Sequence, residues 1–343
     1  MDLEELQERM PQPNETAAAA TQARLDDIAK PIASLGELES LLVRLARISG
    51  GVDIAKRKVF VLAADNGVTA QGVAATPADI TAVMASFMAQ RRSSVCIMAA
   101  QVNCDVTLVD MGMFRHLDVP GIINMAVADG TADMSIGPAM TQEQAVQAIT
   151  IGINLVREAK DEGYRLIATG EMGIGNTSTS SAIAAVLLDR SVAQMTGRGV
   201  GLSDEGLDNK IAVIERAIKV NAPDPENALD VLAKLGGFDI AGMCGIFLGG
   251  ALYGVPVIID GFISSVAALV ATRLVPAAAY ALLPSHLSAE PAAGQVIEAL
   301  GLNPIIHAGM HLGEGTGAVA LIPLLDQAVA VYEKMITYSD IGM

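Results

Sequence analysis

The sequence predicts an α/β fold built on a parallel β-sheet flanked by helices, and three observations lead to that prediction. Short runs of strand length alternate with longer helical stretches along the 343 residues. The runs are apolar throughout, as expected of parallel strands covered on both faces. Several end in a carboxylate beside glycine: Asp65, Asp110, Glu171 and Asp260. Because ligands of such sheets bind outside the carboxyl ends of the strands, these side chains could line one crevice, although for Asp110 a plain turn is favoured.

The first half of the chain predicts three helical regions and three strands. Apolar residues at helical spacing predict helices at 14–49, with a break at 30–36, and at 78–100 and 141–162. Thr141 is a capping-box candidate with Gln144. Continuous apolar runs predict strands at 59–64, 106–109 and 165–168.

The second half continues the alternation. Helices are predicted at 180–188, 208–221, 229–235, 239–253, 264–283 and 292–300, and after Gly317. A strand is predicted at 257–260, and 303–308 is a candidate last strand. Asp239 is predicted to cap the helix that follows it. The segment 283–290, LPSHLSAE, is predicted to be a loop.

The uncharged stretch 240–259 is long enough to span a bilayer. The break from Gly254 to Pro256 divides it into a helix and a short strand, each shorter than a membrane requires. We therefore expect a buried helix and strand, and no membrane partner.

The composition excludes some function classes. Apolar residues make up 52% of the chain, which predicts a large core rather than disorder. With 22 basic against 38 acidic residues and no tryptophan, a nucleic-acid partner is not expected. Three cysteines without a CxxC pair, and an acidic N-terminus unlike a signal peptide, predict a cytoplasmic protein without a cysteine metal site.

The stretch 169–182, TGEMGIGNTSTSSA, combines glycines and hydroxyl residues at a predicted strand-to-helix turn. Such a turn lets the backbone approach a ligand closely, and helix N–H groups can bind a phosphate. The spacing matches no nucleotide fingerprint, and many similar turns bind nothing. A phosphate site and a purely structural turn are therefore equally favoured by this stretch alone.

A second glycine-rich turn, LGEGTGA, carries Glu314 and also precedes a helix. If the two turns meet, Glu171 and Glu314 form a pair of carboxylates suited to acid–base chemistry. Either could instead interact with a helix dipole. The four histidines lack metal-ligand spacing; His286 is the one expected nearest a ligand, and a structural hydrogen bond is as well supported. Lys210, in a lysine-poor chain and just after a Gly/Ser loop, is a candidate phosphate partner, and a solvated helix residue is the alternative.

Eight segments resemble the nicotinate-nucleotide:dimethylbenzimidazole phosphoribosyltransferase family, which activates the lower ligand of cobamides, the relatives of vitamin B12. In chain order they are KPIASLGELE, ADNGVTAQGVAATP, GEMGIGNTS, DNK, GGFDIAGM, DGFISS, LPSHLSAE and HLGEGTGA. The resemblance implies a Rossmann-like sheet domain at 55–290. It also implies a small helical domain at 1–54 plus 291–343, which contributes the GEGTG turn, and a dimer.

The resemblance implies that nicotinate mononucleotide is a substrate and that neither cofactor nor metal takes part. Glu314 matches the general base, which takes a proton from the incoming aromatic base; that base then attacks C1′, nicotinate leaves and the α configuration results. Glu171 is expected to position the donor and stabilise charge. The remaining residues expected around phosphate, ribose and nicotinate are Gly173, Gly175, Asn176, Thr177, Ser178, Lys210, Asp260, Ser288 and Gly313. Those expected beside the aromatic acceptor are Thr76, Met84, Met172 and Leu312.

The chain departs from the family pattern in the acceptor pocket. Members that use dimethylbenzimidazole often carry Ser and Gln where this chain has Thr76 and Met84. A glutamine can hydrogen-bond the second ring nitrogen, whereas methionine offers only apolar contact. Phenol and p-cresol have no second ring nitrogen and would lose no hydrogen bond there, so a phenol-activating variant is one hypothesis.

Other departures, at Asn66, Ile32-Ala33 and His311, indicate a divergent member and raise the hypothesis of a heterodimer with a paralogue. Two alternatives remain open at this point. The chain could be a catalytically weak paralogue that completes a partner's site, or a sugar-phosphate-binding regulator.

Overall fold

The computed structural model of the chain describes residues 3–199 and 201–342 and is built around one six-stranded sheet. The strands are β1 (Arg57–Ala64), β2 (Cys104–Gly112), β3 (Ile122–Asn124), β4 (Leu166–Met172), β5 (Val257–Ile259) and β6 (Leu282–Pro284). Their spatial order is β3-β2-β1-β4-β5-β6, and every neighbouring pair is parallel. The predicted parallel α/β fold is confirmed.

Helices cover both faces of the sheet and both chain ends. They are α1 (Leu3–Arg9), α2 (Glu15–Asp27), α3 (Glu37–Ser49), α4 (Ile80–Ala89), α5 (Ser94–Gln101), α6 (Gln142–Asp161), α7 (Asn176–Leu187), α8 (Val192–Met195), α9 (Asp204–Asn221), α10 (Ala228–Leu235), α11 (Phe238–Tyr253), α12 (Phe262–Leu274), α13 (Ala293–Ala299) and α14 (Thr316–Lys334). Short 3₁₀ turns lie at Gly67–Gln71, Pro276–Ala281 and Ser339–Ile341.

The sheet has its topological switch between β1 and β4. From β1 the chain first adds β2 and β3 on one side, and then returns to add β4, β5 and β6 on the other. Connections on the two sides diverge at this point, which leaves a crevice at the carboxyl ends of the strands. The candidate site lies at this edge of the sheet.

The layer behind the site is tightly packed. Helix α11 is buried over nearly its whole length, contacts β1, β2 and β4, and is covered by α6. The two helices approach at Gly152 and Gly245, where a Cβ atom on either glycine would collide with the other helix's backbone. This close packing holds the N-terminus of α11 firmly against the sheet.

Several predicted helix boundaries need correction. The helix predicted at 78–100 is two helices, because Arg91 adopts φ +60° and the chain turns before Ser94. Helix α7 begins at Asn176 and not at residue 180, so the hydroxyl residues belong to its first turns. Helix α9 likewise begins at Asp204 rather than 208.

The edge strands were predicted least well. Strand β3 lies in a segment predicted as loop, and β6 lies at the end of the predicted helix 264–283 and the start of the predicted loop 283–290. The candidate strand 303–308 forms only an isolated bridge, between Ile306 and His286. Each of the two missed strands has three residues, too few to show a hydrophobic period.

The two chain ends pack together. Helix α3 contacts α2 and α14, and Ile28 forms an antiparallel bridge with Thr337. The Tyr338 N–H donates to the Asp27 carbonyl oxygen at 2.6 Å. The proposed division into a domain at 55–290 and a helical domain at 1–54 plus 291–343 stays a prediction.

The uncharged stretch 240–259 forms most of α11 and, after a short break, β5, as predicted. Across the described residues, we find no helix that combines the length and the apolar character needed to cross a membrane.

Candidate active site

A cavity of about 400 Å³ opens at the carboxyl ends of β4, β5 and β6. This volume is in the range of small-molecule sites. Its walls come from the ends of the strands, from α4, from the N-termini of α7 and α12, and from the turn before α14. The predicted site residues among its lining are Thr76, Met84, Glu171, Met172, Gly173, Asn176, Thr177, Asp260, Ser288, Leu312, Gly313 and Glu314.

Glu314 lies in a turn with an unusual backbone. Gly313, Glu314 and Gly315 all have positive φ values, of 84°, 63° and 97°. A left-handed conformation costs a non-glycine residue about 1–2 kcal/mol, and such residues cluster at functional sites. The turn therefore presents the Glu314 side chain at a conformational cost that the surrounding contacts must offset.

The N-terminus of α5 holds the Glu314 carboxylate. The backbone N–H of Val95 donates to Glu314 Oε2 at 3.2 Å. Burial raises the pKa of Glu314 above its ordinary value, and the charge of Asp260 adds to the shift; the Val95 and Ser94 amides oppose it. A carboxylate with a raised pKa is a better proton acceptor near neutral pH than an exposed one.

Glu171, the last residue but one of β4, is joined to a second buried acid. The Asn176 side-chain amide donates to Glu171 Oε2 and, at 2.9 Å, to Asp239 Oδ2. Burial, followed by the charge of Asp239, raises the pKa of Glu171 to about 8. Glu171 is thus mostly protonated at pH 7 and brings less negative charge to the site than the sequence led us to expect.

Asp239 does not act as the predicted helix cap. Helix α11 begins one residue earlier, at Phe238, and the Asp239 carboxylate turns toward Asn176. Asp239 is fully buried, and burial raises its pKa to about 6. The sequence placed this residue at a helix start but held no signal that it would meet Glu171.

Asp260 anchors the turn before α14. Its Oδ2 accepts from the Gly315 N–H at 3.1 Å, and its Oδ1 accepts from the Ala318 N–H at 3.0 Å. Two backbone donors at a helix N-terminus are thereby satisfied by one buried carboxylate. Asp260 lines the cavity, and both of its oxygens are engaged by the turn that carries Glu314.

Lys210 lies just behind the cavity wall. It is almost fully buried, and its ammonium group donates to Thr177 Oγ1 at 2.8 Å and to the Gly197 carbonyl oxygen at 3.2 Å. Burial lowers the pKa of Lys210 to about 8, with partial compensation from the charge of Glu290. A buried cation bonded to neutral groups beside Thr177 is a favourable place for an anionic group.

Part of the cavity lining, called the apolar end here, is formed by apolar side chains: Met84, Met172, Leu312 and Ile80. Thr76 also lines the cavity, but its Oγ1 is buried and has no hydrogen-bond partner among the described residues. The apolar end suits a flat aromatic molecule with few polar atoms.

Three predicted ligand residues do not line the cavity. Gly175 faces Thr69 and Asn66, Ser178 is fully buried within α7, and Lys210 reaches the wall only through Thr177. Their part in binding stays a prediction.

Of the four strand-end carboxylates, only Glu171 and Asp260 line the cavity. Asp65 accepts from the Phe114 N–H, at 2.8 Å, and Asp110 accepts from the N–H groups of Gly112 and Met113, each at 2.9 Å. The shared crevice predicted for all four is therefore wrong, because backbone N–H groups at the end of β2 and just after it bind two of the carboxylates. The structural turn favoured for Asp110 is confirmed.

His286 lines the cavity, as expected of a residue near a ligand. Its Nδ1 also lies 3.2 Å from Ser285 Oγ, as expected of a structural hydrogen bond, so both interpretations apply. Sequence reasoning missed the lining residues Ser94, Gly199, Glu290 and His311. Each comes from a loop or helix end that meets the cavity only through the tertiary fold. Glu290 and His311 lie in LPSHLSAE and HLGEGTGA, two segments that carry the family resemblance, whereas no local motif identifies Ser94 or Gly199.

The arrangement supports proton abstraction next to an anion-binding region. Glu314 is a buried, anchored carboxylate with a raised pKa, and it shares one cavity with the Thr177 end and with the apolar end. An apolar molecule and a phosphorylated one near Thr177 could be held together in this cavity, which Glu171 and Glu314 also line. The site therefore fits a two-substrate transfer.

The chain is similar throughout its length to proteins of known type. A family profile described as phosphoribosyltransferase matches residues 10–343. A nicotinate-nucleotide–dimethylbenzimidazole phosphoribosyltransferase of Acetivibrio thermocellus is 44% identical over 93% of this chain and 92% of its own length. One of Roseiflexus is 45% identical over 96% and 94%. The crystal structure of CobT from Thermus thermophilus superposes with a TM-score of 0.90 at 37% identity, covering 96% of this chain and 99% of that one.

Proposed function

Since the chain belongs to the nicotinate-nucleotide–dimethylbenzimidazole phosphoribosyltransferase family, and is thus a pentosyltransferase, we propose that it moves the phosphoribosyl group of nicotinate mononucleotide to an aromatic lower-ligand base of a cobamide. The products are an α-ribotide and nicotinate. The observation that carries the proposal is that Glu314, a buried carboxylate, lines one cavity together with apolar side chains and with Thr177, the hydroxyl group that Lys210 contacts.

Glu314 is the general base in this proposal. Its raised pKa and its anchoring by the Val95 N–H suit it to accept a proton from the acceptor. The deprotonated acceptor atom then attacks C1′ of the ribose from the face opposite nicotinate. The C1′–N bond to nicotinate breaks, its electron pair returns to the ring nitrogen, and the configuration at C1′ inverts.

The leaving group needs no acid, because nicotinate in the mononucleotide is a pyridinium cation and leaves as a neutral ring. The proposed reaction thus proceeds without a metal or cofactor. Positive charge accumulates on the ribose, which becomes oxocarbenium-like, and the Asp260 carboxylate, which lines the cavity, stabilises that charge. The phosphate of the donor is assigned to Thr177, because the buried ammonium of Lys210 behind it is bonded only to neutral groups among the described residues.

Dimethylbenzimidazole is the acceptor named for the relatives, and the apolar end of the cavity can seat it. We extend the proposal to phenolic acceptors such as phenol and p-cresol. Met84 gives no hydrogen bond to a second ring nitrogen, and the Thr76 Oγ1 atom is buried away from the cavity. A phenol would give its hydroxyl proton to Glu314 and leave no further polar atom unsatisfied.

The acceptor is tested by incubating the purified chain with nicotinate mononucleotide and an equimolar mixture of dimethylbenzimidazole, adenine, phenol and p-cresol. Mass spectrometry of the ribotides is expected to show phenolic products beside that of dimethylbenzimidazole. Met84→Gln should shift the product ratio toward dimethylbenzimidazole about 5- to 10-fold, since one hydrogen bond contributes roughly 1 kcal/mol.

Met84→Leu is the matched control, because it changes shape without adding a donor, and its product ratio should stay near that of the parent. A mixture that yields only the dimethylbenzimidazole ribotide rejects the phenolic extension and leaves the transferase proposal standing. Release of nicotinate without any ribotide rejects the transferase proposal itself, and no turnover by the chain alone rejects a transferase that acts as a homodimer.

The chain is also proposed to act as a dimer, with itself or with a paralogue. Turnover by the purified chain alone would favour the homodimer over a requirement for a paralogue. Light scattering of the same preparation would give its oligomeric state.

A further inference from the structure

In the wall of the cavity, two acidic side chains, one from a strand and one from a helix, accept hydrogen bonds from the same side-chain amide. Asn176, the first residue of α7, donates from one nitrogen to Glu171 and to Asp239. Asp239 itself does not line the cavity, and Glu171 does. The arrangement places a buried acid directly behind an acid that faces the substrate.

Glu171 also touches the turn that carries the base. A Cβ atom at Gly313 would collide with Glu171 Oε1, so the carboxyl group occupies the space that the glycine leaves free. The Glu314 backbone amide lies close enough to the same carboxyl group to oppose the rise in its pKa. Contacts therefore run without interruption from α11 through Asn176 and Glu171 to the turn before α14.

Of the residues that make these contacts, Asp239 is the one whose surroundings most favour the ionised carboxylate. It lies in the first turn of α11, where backbone amides of Asp239 and Ile240 favour the carboxylate. Gly173, which has no side chain, lets its Oδ2 approach. Glu171 has no comparable helix end, and it faces Asp239 and Asp260, both of which disfavour its charge.

We propose that Asp239 is a positioning residue for the transfer reaction: its charge keeps the Glu171 carboxyl group neutral, and through Asn176 it keeps that group seated against the turn that carries Glu314. This inference rests on the proposed function. Nicotinate mononucleotide carries a phosphate and a carboxylate, and an ionised Glu171 in the cavity wall would repel both. A neutral Glu171 avoids that repulsion and can donate a hydrogen bond to a substrate oxygen.

The charged neighbours of the pair are few among the described residues. Glu171 faces Asp239 from α11, Asp260 from the end of β5, and Glu314 from the turn. Asp239 faces Asp65 from the end of β1, and Asp260 faces His286, whose charge favours ionised Asp260. The charges of Asp239 and Asp260 both raise the pKa of Glu171. Removal of the Asp239 charge should therefore lower the pH at which Glu171 ionises.

The test is the pH dependence of kcat/KM for nicotinate mononucleotide in Asp239→Asn. The parent enzyme should lose activity on the alkaline side as Glu171 ionises, with a midpoint near its pKa of about 8. In Asp239→Asn this alkaline limb should move down by ~1 pH unit or more. In Glu171→Gln, whose side chain cannot ionise, the part of the alkaline limb that comes from Glu171 should disappear, and only the loss that accompanies deprotonation of Lys210, whose pKa is also about 8, should remain.

Asp110→Asn is the matched control, because Asp110 is an equally buried aspartate whose bonds lie outside the cavity. It should lower stability and leave the alkaline limb in place. If kcat/KM of Asp239→Asn falls by the same factor at every pH, the proposal is overturned and Asp239 is a structural residue.

A second readout is independent of turnover. In protein labelled with ¹³C at the glutamate carboxyl carbons, the Glu171 resonance is identified by its loss in Glu171→Gln. It should titrate near pH 8 in the parent and at lower pH in Asp239→Asn. A Glu171 resonance that is already ionised at about pH 6 in the parent overturns the proposal. Failure of the parent to form any ribotide would instead reject the proposed function.

Discussion

At the scale of single residues, both a backbone conformation and a side-chain contact require glycine at position 313. Its φ of 84° is a left-handed conformation, and the Glu171 carboxyl group fills the space of a missing Cβ. Gly313→Ala is therefore expected to displace the turn and to lower kcat by about 10-fold or more, while thermal unfolding shifts only modestly. Steady-state rates with nicotinate mononucleotide and dimethylbenzimidazole measure this directly.

Gly309→Ala is the control for backbone strain alone. Gly309 has a φ of 65° in the same loop, and no atom lies near its missing Cβ. It should cost about 1 kcal/mol in stability with little change in kcat. Equal losses of kcat in the two variants would show that strain, and not contact with Glu171, explains the effect.

At the scale of elements, Asp260 ties β5 to α14. Its two oxygens accept from the N–H groups of Gly315 and Ala318, so an asparagine must present its NH₂ group to one of these donors. Asp260→Asn is expected to destabilise the fold by about 1–3 kcal/mol and to lower kcat, because the Glu314 turn loses its anchor. Denaturant unfolding and steady-state kinetics check the two effects.

Asn227→Ala removes a helix cap of the same kind, far from the cavity: Asn227 Oδ1 accepts from the Asp230 N–H at 3.1 Å at the start of α10. It should cost stability by about 1 kcal/mol and leave kcat near the parent value. If the Asp260 variant loses stability while kcat stays intact, the anchoring of the turn is not needed for catalysis.

The same scale shows which elements the sequence could predict. The α6 start at Thr141 was predicted because its capping box is local, and both of its hydrogen bonds are present. The start of α7 was not, since Asn176 and the hydroxyl residues after it favour caps and turns when considered alone. Tertiary burial of these side chains overrides that preference.

At the scale of the whole molecule, the sequence predicted the sheet and most of the cavity lining. Glycine-rich turns at Glu171 and Glu314 identified two walls because turn chemistry is local. The pairing of Glu171 with Asp239 could not be predicted, because 68 residues of chain separate them and only the packing of α11 against β4 joins them. The same holds for Val95, whose amide meets Glu314 only through the position of α5.

The central claim is that Glu314 takes the proton from the acceptor, and Glu314→Gln tests it most directly. The amide keeps the size of the side chain and can still accept from the Val95 N–H, so folding and binding of nicotinate mononucleotide should be retained. Ribotide formation, followed by mass spectrometry, is expected to fall by about 10²- to 10⁴-fold. Glu298→Gln, on the exposed face of α13, is the control and should match the parent. Full activity in Glu314→Gln would contradict the mechanism.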